Sequence, residues 1–407
     1  MIYIPSDFMN YDSLIREQSC FNGIGIKPSE KQSIQNLKNI FVSIIKGESN
    51  LAKLGKQNSL IVLGLDAISY NVAKNCFTPT RIFPLTSTFP TTSVTAWTTT
   101  VSGLSPSLHN LPGVVYFAPE INKMYNCLDN AILIGNEWKT NYINSKRIRY
   151  GKYETFFNLI NKFAETVVID GYFSYDIARW SSCLIQGASK VQKSKSDWSI
   201  ITFSPNKIID SIIEDVEFAL ITRNQSKKLF LWSLVNTDHY IHVNGYSEEL
   251  NAQLERLNQK ILQWNENGHT VIIHSDHGQV KNFSDKKLED CWNDITSEEL
   301  SNFCGGAGRT RWIYPKKNCE TKLVDRLEKE FGNLIKIIHK NELHKLGLLN
   351  VDDSNNRIGT IVVIAIDHTF PIINSAENYY SKSSIKYEHG SILPDEMIVP
   401  LVIYNSI

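Results

Sequence analysis

His269-Thr-Val-Ile-Ile-His-Ser-Asp-His-Gly278 is the stretch whose reading decides the fold. An apolar run bounded by polar residues and closed by a glycine is the pattern of a short buried strand with a tight exit. Asp276 and His277 stand side by side at that exit. In a parallel sheet, ligands bind at the carboxyl ends of the strands. A carboxylate and an imidazole fixed there form part of a site for a borderline divalent metal such as zinc. Asp-His pairs are common by chance, so the reading depends on partners elsewhere in the chain.

Two other stretches repeat the design. Ser59-Leu-Ile-Val-Leu-Gly-Leu-Asp66 is a second buried-strand pattern ending in a carboxylate, and Leu229-Phe-Leu-Trp-Ser-Leu-Val-Asn-Thr-Asp238 is a third. Asp238 and His242 are spaced i, i+4, so one helical turn or a compact loop lets both meet a single ion, with His239 turned elsewhere. An amphipathic stretch at 247–265 leads into the opening strand. A strand–helix–strand order of this kind implies parallel pairing through a right-handed crossover.

Residues 86–106 are dense in hydroxyls. Pro90 followed by Thr91, Thr92 and Ser93 reads as a helix entry. Val94, Trp97 and Val101 form the apolar stripe and Gly103 the stop. A helix N-terminus offers free N–H groups and the positive end of a dipole, which together hold phosphate. A hydroxyl there attacks phosphorus once a metal lowers its pKa.

The rest of the chain bounds these expectations. Its 407 residues are 42% hydrophobic and 21% charged, which is globular usage. Lys+Arg and Asp+Glu both number 42, so the charge balance gives no surface for coating nucleic acid. No apolar run approaches the roughly 18 residues of a membrane span. The N-terminus lacks a basic head followed by an apolar core, so no secretory signal is expected. Seven scattered cysteines without a C-x-x-C fit a reduced cytoplasm better than a disulfide framework.

Residues 1–58 read as an extension that packs on the core through a helix near 34–45, and 59–407 as the catalytic domain. Part of 107–228 reads as an insertion or cap that shapes substrate choice. Within it, strands are expected at 131–135 and 167–171, helices at 156–164 and 207–219, and a loop at 188–199. Residues 303–314 read as a glycine-rich bend into a strand. Arg309 and Arg311 in it are expected to be solvated, with a phosphate contact as the alternative. Further strands are expected at 361–366 and 399–404, with His389 in a loop before Gly390.

Asp66, Phe89-Pro-Thr-Thr-Ser93 with Gly103 ten residues on, Asp238-x-x-x-His242-x-x-Gly245, Ser275-Asp-His-Gly278 and His389-Gly390 with Glu396 and Val399-Pro400 together resemble the alkaline phosphatase superfamily. The nearest branch is the type I phosphodiesterases and nucleotide pyrophosphatases. The resemblance runs from about residue 59 to the C-terminus. It implies an α/β fold, with a largely parallel central sheet sandwiched by helices and inserted segments that shape the substrate site. It also implies two zinc ions at the sheet's carboxyl edge. Asp66, Ser93, Asp276 and His277 would surround one ion, and Asp238, His242 and His389 the other. Ser93 takes the nucleophile position by its interval to Gly103, with Thr92 and Thr88 as alternatives.

Three positions depart from the family pattern. Ala67 follows Asp66 where glycine is common. Gln279 follows Asp-His-Gly where methionine is usual. Ala96 falls where an asparagine phosphate contact often sits, and this bears on nucleotide specificity. The implied activity is zinc-dependent cleavage of a phosphodiester or pyrophosphate bond in a small phosphate ester or nucleotide-like substrate, through a phosphoseryl intermediate. The alternative on the same scaffold is a phosphomonoesterase or phosphoryl-transfer enzyme acting on a phosphorylated metabolite.

Overall fold

In the computed structural model, the described residues are 8–135, 137–140, 153–170, 180–196, 201–283, 285–299, 304–351, 357–370 and 385–405. Seven strands form the central sheet: β1 (Ser59–Leu65), β2 (Arg81–Thr86), β3 (Glu165–Asp170), β4 (Lys190–Lys193), β5 (Leu229–Val235), β6 (Thr270–His274) and β7 (Ile398–Tyr404). Their spatial order is β4-β3-β5-β1-β6-β7-β2. The pairs along β4-β3-β5-β1-β6 are parallel, and β7 runs antiparallel to both of its neighbours.

Side-chain alternation explains why the inner strands are apolar throughout. Leu60 and Val62 of β1 join Phe230, Trp232 and Ile272 in a core layer on one face. Ile61 and Leu63 join Leu231, Val271 and Ile273 in a layer on the other. The first layer is closed by α1 (Leu37–Lys46) and α2 (Ser93–Ser102), which insert Phe41 and Trp97. The second is closed by α3 (Pro205–Thr222) and α5 (Glu248–Glu266), with Ile208, Ile212, Leu250 and Leu254; α4 (Asp238–Asn244) precedes α5. A strand buried on both faces has no use for polar alternation. This is the expected α/β sandwich.

One expectation fails. Residues 188–199 were expected as a loop, yet Lys190–Lys193 is a strand parallel to β3. It lies at the edge of the sheet, and within it Gln192 is buried while Val191 and Lys193 are exposed. An edge strand protected by lysines carries no apolar period. The expected strand at 167–171 is β3, with Gly171 outside the described residues, as Phe303 of the glycine-rich bend also is.

A second, antiparallel sheet of eight strands takes up Ala131–Ile134 and Ile361–Ala365. Residues 107–228 therefore divide. Strands between 115 and 140 enter the second sheet, whereas β3, β4 and α3 belong to the first. Parts of that span lie outside the described residues. The hairpin of Gly305–Ala307 and Thr310–Ile313 carries the second sheet to the carboxyl edge of the first, where the Arg309 N–H donates to the His389 carbonyl at 2.8 Å. No helix among the described residues is long and apolar enough to cross a membrane.

Candidate functional site

The strand order β5-β1-β6 sets three exits side by side. Val235 pairs with Leu65, and His274 with Gly64. Neighbouring strands lie about 4.8 Å apart, so Asp66, Asp238 and Asp276-His277 open on one stretch of sheet edge. The Asp66 N–H donates to Val235 O at 2.9 Å, and the Thr237 hydroxyl donates to Asp66 O. Ala67 turns the chain with φ 64° and aims its N–H at Asp276 Oδ1, 3.1 Å away.

That left-handed turn is one that glycine adopts without a steric penalty. The conformation costs a residue with a Cβ about 1–2 kcal/mol. Ala67→Gly would relieve it, but would add about 0.4–1 kcal/mol of unfolded-chain entropy and lose a buried methyl worth about 0.8 kcal/mol. The expected net change is within about 0.5 kcal/mol. Ala67→Val, β-branched in the same turn and in a packed site, is expected to cost about 2–4 kcal/mol. Denaturant unfolding of the two variants checks this contrast.

Ser93 arrives from the other direction. After β2, the Ser87 hydroxyl donates to Asp276 O and the Ser87 N–H to Met397 O at 2.7 Å, which seats the segment against the β6 exit. Thr92 is the N-cap of α2, Ser93 its first residue, and Gly103 closes the helix with φ 69°. Ser93 Oγ lies 3.4 Å from Asp66 Oδ1 and 3.2 Å from His277 Nε2. The Thr88 hydroxyl instead donates to Pro90 O at 2.9 Å. Of the three hydroxyls weighed from the sequence, Ser93 is the one in contact with the acid and imidazole cluster. Ala96 is buried and brings no hydrogen-bonding side chain.

The three histidines share one orientation. Each faces a backbone carbonyl through Nδ1: His277 to Gly278 O at 3.2 Å, His242 to Tyr387 O at 2.7 Å and His389 to Thr91 O at 2.6 Å. Donation from Nδ1–H leaves Nε2 as the coordinating nitrogen, the arrangement found for metal-ligating histidines. His277 Nε2 faces Asp276 Oδ2 at 3.3 Å and Asp66 Oδ1 at 3.7 Å. His242 Nε2 is 3.2 Å from Asp238 Oδ2, and His389 Nε2 is 3.7 Å from Asp238 Oδ1. Gly390 makes the His389 turn possible. Its φ is 116°, and a Cβ there would meet Ala307 O at 2.2 Å.

Three groups bring their ligand atoms within 4.8 Å of one another: Asp66, Asp276 and His277; Asp238, His277 and His389; and His242, Glu388 and His389. All seven residues singled out from the sequence thus meet at one edge. Glu388 was not singled out. A lone acid in a loop has no periodicity, and adjacency to His389 was the one signal available.

The electrostatics describe a cluster short of positive charge. Burial, then Asp276 and Asp238, push Asp66 well above the usual carboxylate range. Burial pushes Asp276 up to about 7, helped by Asp238 and opposed by the Ala67 N–H. Burial also works to raise Asp238, but His242, His389 and His277 outweigh it and hold it well below. His242 is raised to about 10, because Asp238 and Glu388 overcome burial. Burial and then His389 hold His277 well below the usual imidazole value.

These residues fit divalent metal on two observations. Asp276 Oδ2 is buried with no hydrogen-bond partner among the described residues. Among the described residues, the ion pairs of Asp66, Asp238 and Asp276 are with histidines alone. Mixed carboxylate oxygen and imidazole nitrogen donors suit zinc-like ions.

The expectation that Arg309 and Arg311 are solvated is overturned. Both are buried. Arg309 lies 3.3 Å from Glu396 Oε1 and donates to Asn282 Oδ1 and to Asp367 O at 2.8 Å. Arg311 donates to the carbonyls of Gly308 and Thr310. A buried guanidinium needs such partners, because its desolvation is costly.

Comparison with known proteins agrees with this fold. The fold is similar to human ectonucleotide pyrophosphatase / phosphodiesterase 5, at a TM-score of 0.57 and 15% identity over 85% of this chain and 87% of that one. It is similar to an inactive murine form of that enzyme in complex with AMP, at a TM-score of 0.54 and 15% identity over 86% and 88%. It is also similar to phosphonoacetate hydrolase from Sinorhizobium meliloti 1021 in complex with phosphonoformate, at a TM-score of 0.60 and 13% identity over 88% and 92%. Among curated proteins no sequence matches. The family model for type I phosphodiesterase / nucleotide pyrophosphatase matches residues 77–391. Most of the chain, including six of the seven clustered residues, lies inside that match, and the chain belongs to the type I phosphodiesterase / nucleotide pyrophosphatase family of phosphoric ester hydrolases.

Proposed function

We propose that this chain hydrolyses a phosphodiester or pyrophosphate bond with two zinc ions and Ser93 as nucleophile. The observation that carries the reading is the meeting of the Ser93 hydroxyl with Asp66, Asp276 and His277, beside Asp238, His242 and His389, at one sheet edge. In this reading Asp66, Ser93, Asp276 and His277 hold one ion, and Asp238, His242 and His389 hold the other. Bound zinc supplies Lewis acidity and positive charge at the carboxylate-rich edge.

Ser93 Oγ attacks phosphorus, and its bond to phosphorus forms as the bond to the leaving oxygen breaks. Water then cleaves the phosphoseryl ester and restores the serine. Ser93, Val94 and Thr95 open α2, where backbone N–H groups have no partner within the helix and suit phosphoryl oxygens. The second sheet, which meets the edge at Arg309 and His389, is in this reading the part that shapes substrate choice. AMP and phosphonoformate in the structural relatives are small ligands with a phosphate or phosphonate group, in keeping with such a substrate. The seven cysteines are all unpaired, which supports a reduced, cytoplasmic setting.

The choice of diester over monoester rests on charge. A monoester brings about two negative charges, and a site that prefers it adds a cation beyond the metals. Arg309 and Arg311 are committed to buried partners. No Lys or Arg lies between Thr86 and Pro112 on the nucleophile's side. The expected kcat/KM ratio for a nitrophenyl diester against the matching monoester, assayed with zinc, exceeds about 10, one charge-assisted contact being worth roughly that factor. A ratio below one would move the assignment to a phosphomonoesterase.

A further inference from the structure

Gln279 follows Asp276-His-Gly278 at the β6 exit, and nothing in the proposed chemistry uses it. Its placement is specific. The Gln279 N–H donates to the Tyr246 hydroxyl at 2.8 Å, and that hydroxyl donates to Ala67 O at 2.8 Å. Just before it, the Gly278 N–H donates to Glu396 O at 2.9 Å; a Cβ at 278 would meet Asp395 O at 2.0 Å, so the backbone is fixed there. From this anchored backbone the side-chain amide reaches across the edge. Nε2 lies 2.5 Å from Asp238 Oδ1 and 3.3 Å from Asp238 O. The residue is 1% exposed, and its Oε1 is buried with no hydrogen-bond partner among the described residues. Gln279 thus belongs to the β6 exit, is tied through Tyr246 to the β1 exit, and grips the acid of the β5 exit.

We infer that Gln279 is a positioning residue for Asp238, fixing which carboxylate oxygen faces each neighbour at the second ion's site. The inference rests on the metal-dependent reading above. With Oδ1 held by the amide, Oδ2 is turned to the His242 side, where Nε2 lies 3.2 Å away. A thioether donates no hydrogen bond. Methionine would therefore leave Asp238 free to rotate about its last torsion, which is broad for a carboxylate. Partners that orient metal ligands typically change metal affinity by about 10- to 100-fold when removed.

The test uses purified full-length protein with zinc alone as the probe, in competition with a chromophoric chelator. Gln279→Met keeps side-chain volume, and Gln279→Ala is the second variant should methionine disturb folding; thermal unfolding checks both. Either variant should bind one of two zinc ions about 10- to 100-fold more weakly, with the other within about threefold. In an Asp238→Ala background, which removes the carboxylate acceptor of the Gln279 amide, the same change at 279 should cost less than about threefold. An unchanged affinity in folded Gln279→Met or Gln279→Ala would overturn the inference, as would equal losses in both backgrounds. A wild-type chain that binds no zinc would instead overturn the functional reading on which the inference rests.

Discussion

Ser93→Ala is expected to lower kcat on an aryl phosphodiester by roughly 10,000-fold or more, as loss of a covalent nucleophile does elsewhere, while zinc content falls little. The two effects separate because six protein ligands remain after Oγ is removed. The hydroxyl is small, so its removal leaves the α2 entry intact. Thr92, not Ser93, is the N-cap, and Ala96 N–H still donates to Thr92 O at 2.9 Å. Thr88→Ala breaks a hydrogen bond to Pro90 O that shapes the approach to the helix. It should weaken activity through geometry alone. Steady-state kinetics with elemental analysis on the same preparations distinguish these cases. A fully active Ser93→Ala beside an inactive Thr92→Ala or Thr88→Ala would reassign the nucleophile.

Metal removal is the second large effect. Chelation is expected to abolish turnover, and re-addition of zinc to restore it, because among the described residues histidines alone pair with the three aspartates, too little positive charge to neutralise a developing negative charge as well. Its stability consequence has a definite sign. In the metal-free chain, burial raises Asp276 to about 7. A carboxyl raised in the fold is disfavoured as the anion, so stability is lost as pH rises from about 4 through about 7. Asp276→Asn removes that anion and keeps an oxygen for the Ala67 N–H. It should therefore stabilise the metal-free protein at pH 8 by about 2–4 kcal/mol, and do little at pH 4. The same change should weaken zinc binding and remove activity. This opposition is the usual trade between a strained site and stability. Thermal unfolding at the two pH values, with and without zinc, measures both sides.

Much of this site was legible because three strands end alike. Asp66, Asp238 and Asp276 each close an apolar run, and burial on both faces makes such runs conspicuous. The helix entry was legible through a proline, a hydroxyl cap and a glycine stop, but Ser93 stood out from Thr92 and Thr88 only by the resemblance and its interval to Gly103. His389 was not legible from pattern. It lies in a loop, more than a hundred residues from His277, and only the series of motifs pointed to it. What brings it in is the hydrogen bond to Thr91 O and the turn at Gly390, both long-range or backbone features. Glu388 escaped for the same reason, since a single polar residue carries no period, and Gln279 stood out only as a departure from the family pattern, with no role attached. Lys190–Lys193 was misread because an edge strand satisfies the sheet through its backbone, while Val191 and Lys193 face water and the residue turned inward, Gln192, is polar. The arginines were misread because composition cannot reveal a buried partner such as Glu396.

Transfer of a phosphoryl group to Ser93 at this edge leaves a covalent bond that can be trapped. Its most direct test is to mix zinc-loaded protein with a nitrophenyl phosphodiester, quench in acid within the first turnover, and map the modified peptide by mass spectrometry. A phosphoryl-ester adduct on Ser93 is expected, absent from Ser93→Ala and from the chelated enzyme. An adduct on Thr88, Thr92 or any other side chain would contradict it, as would product release at full rate with no residue ever modified.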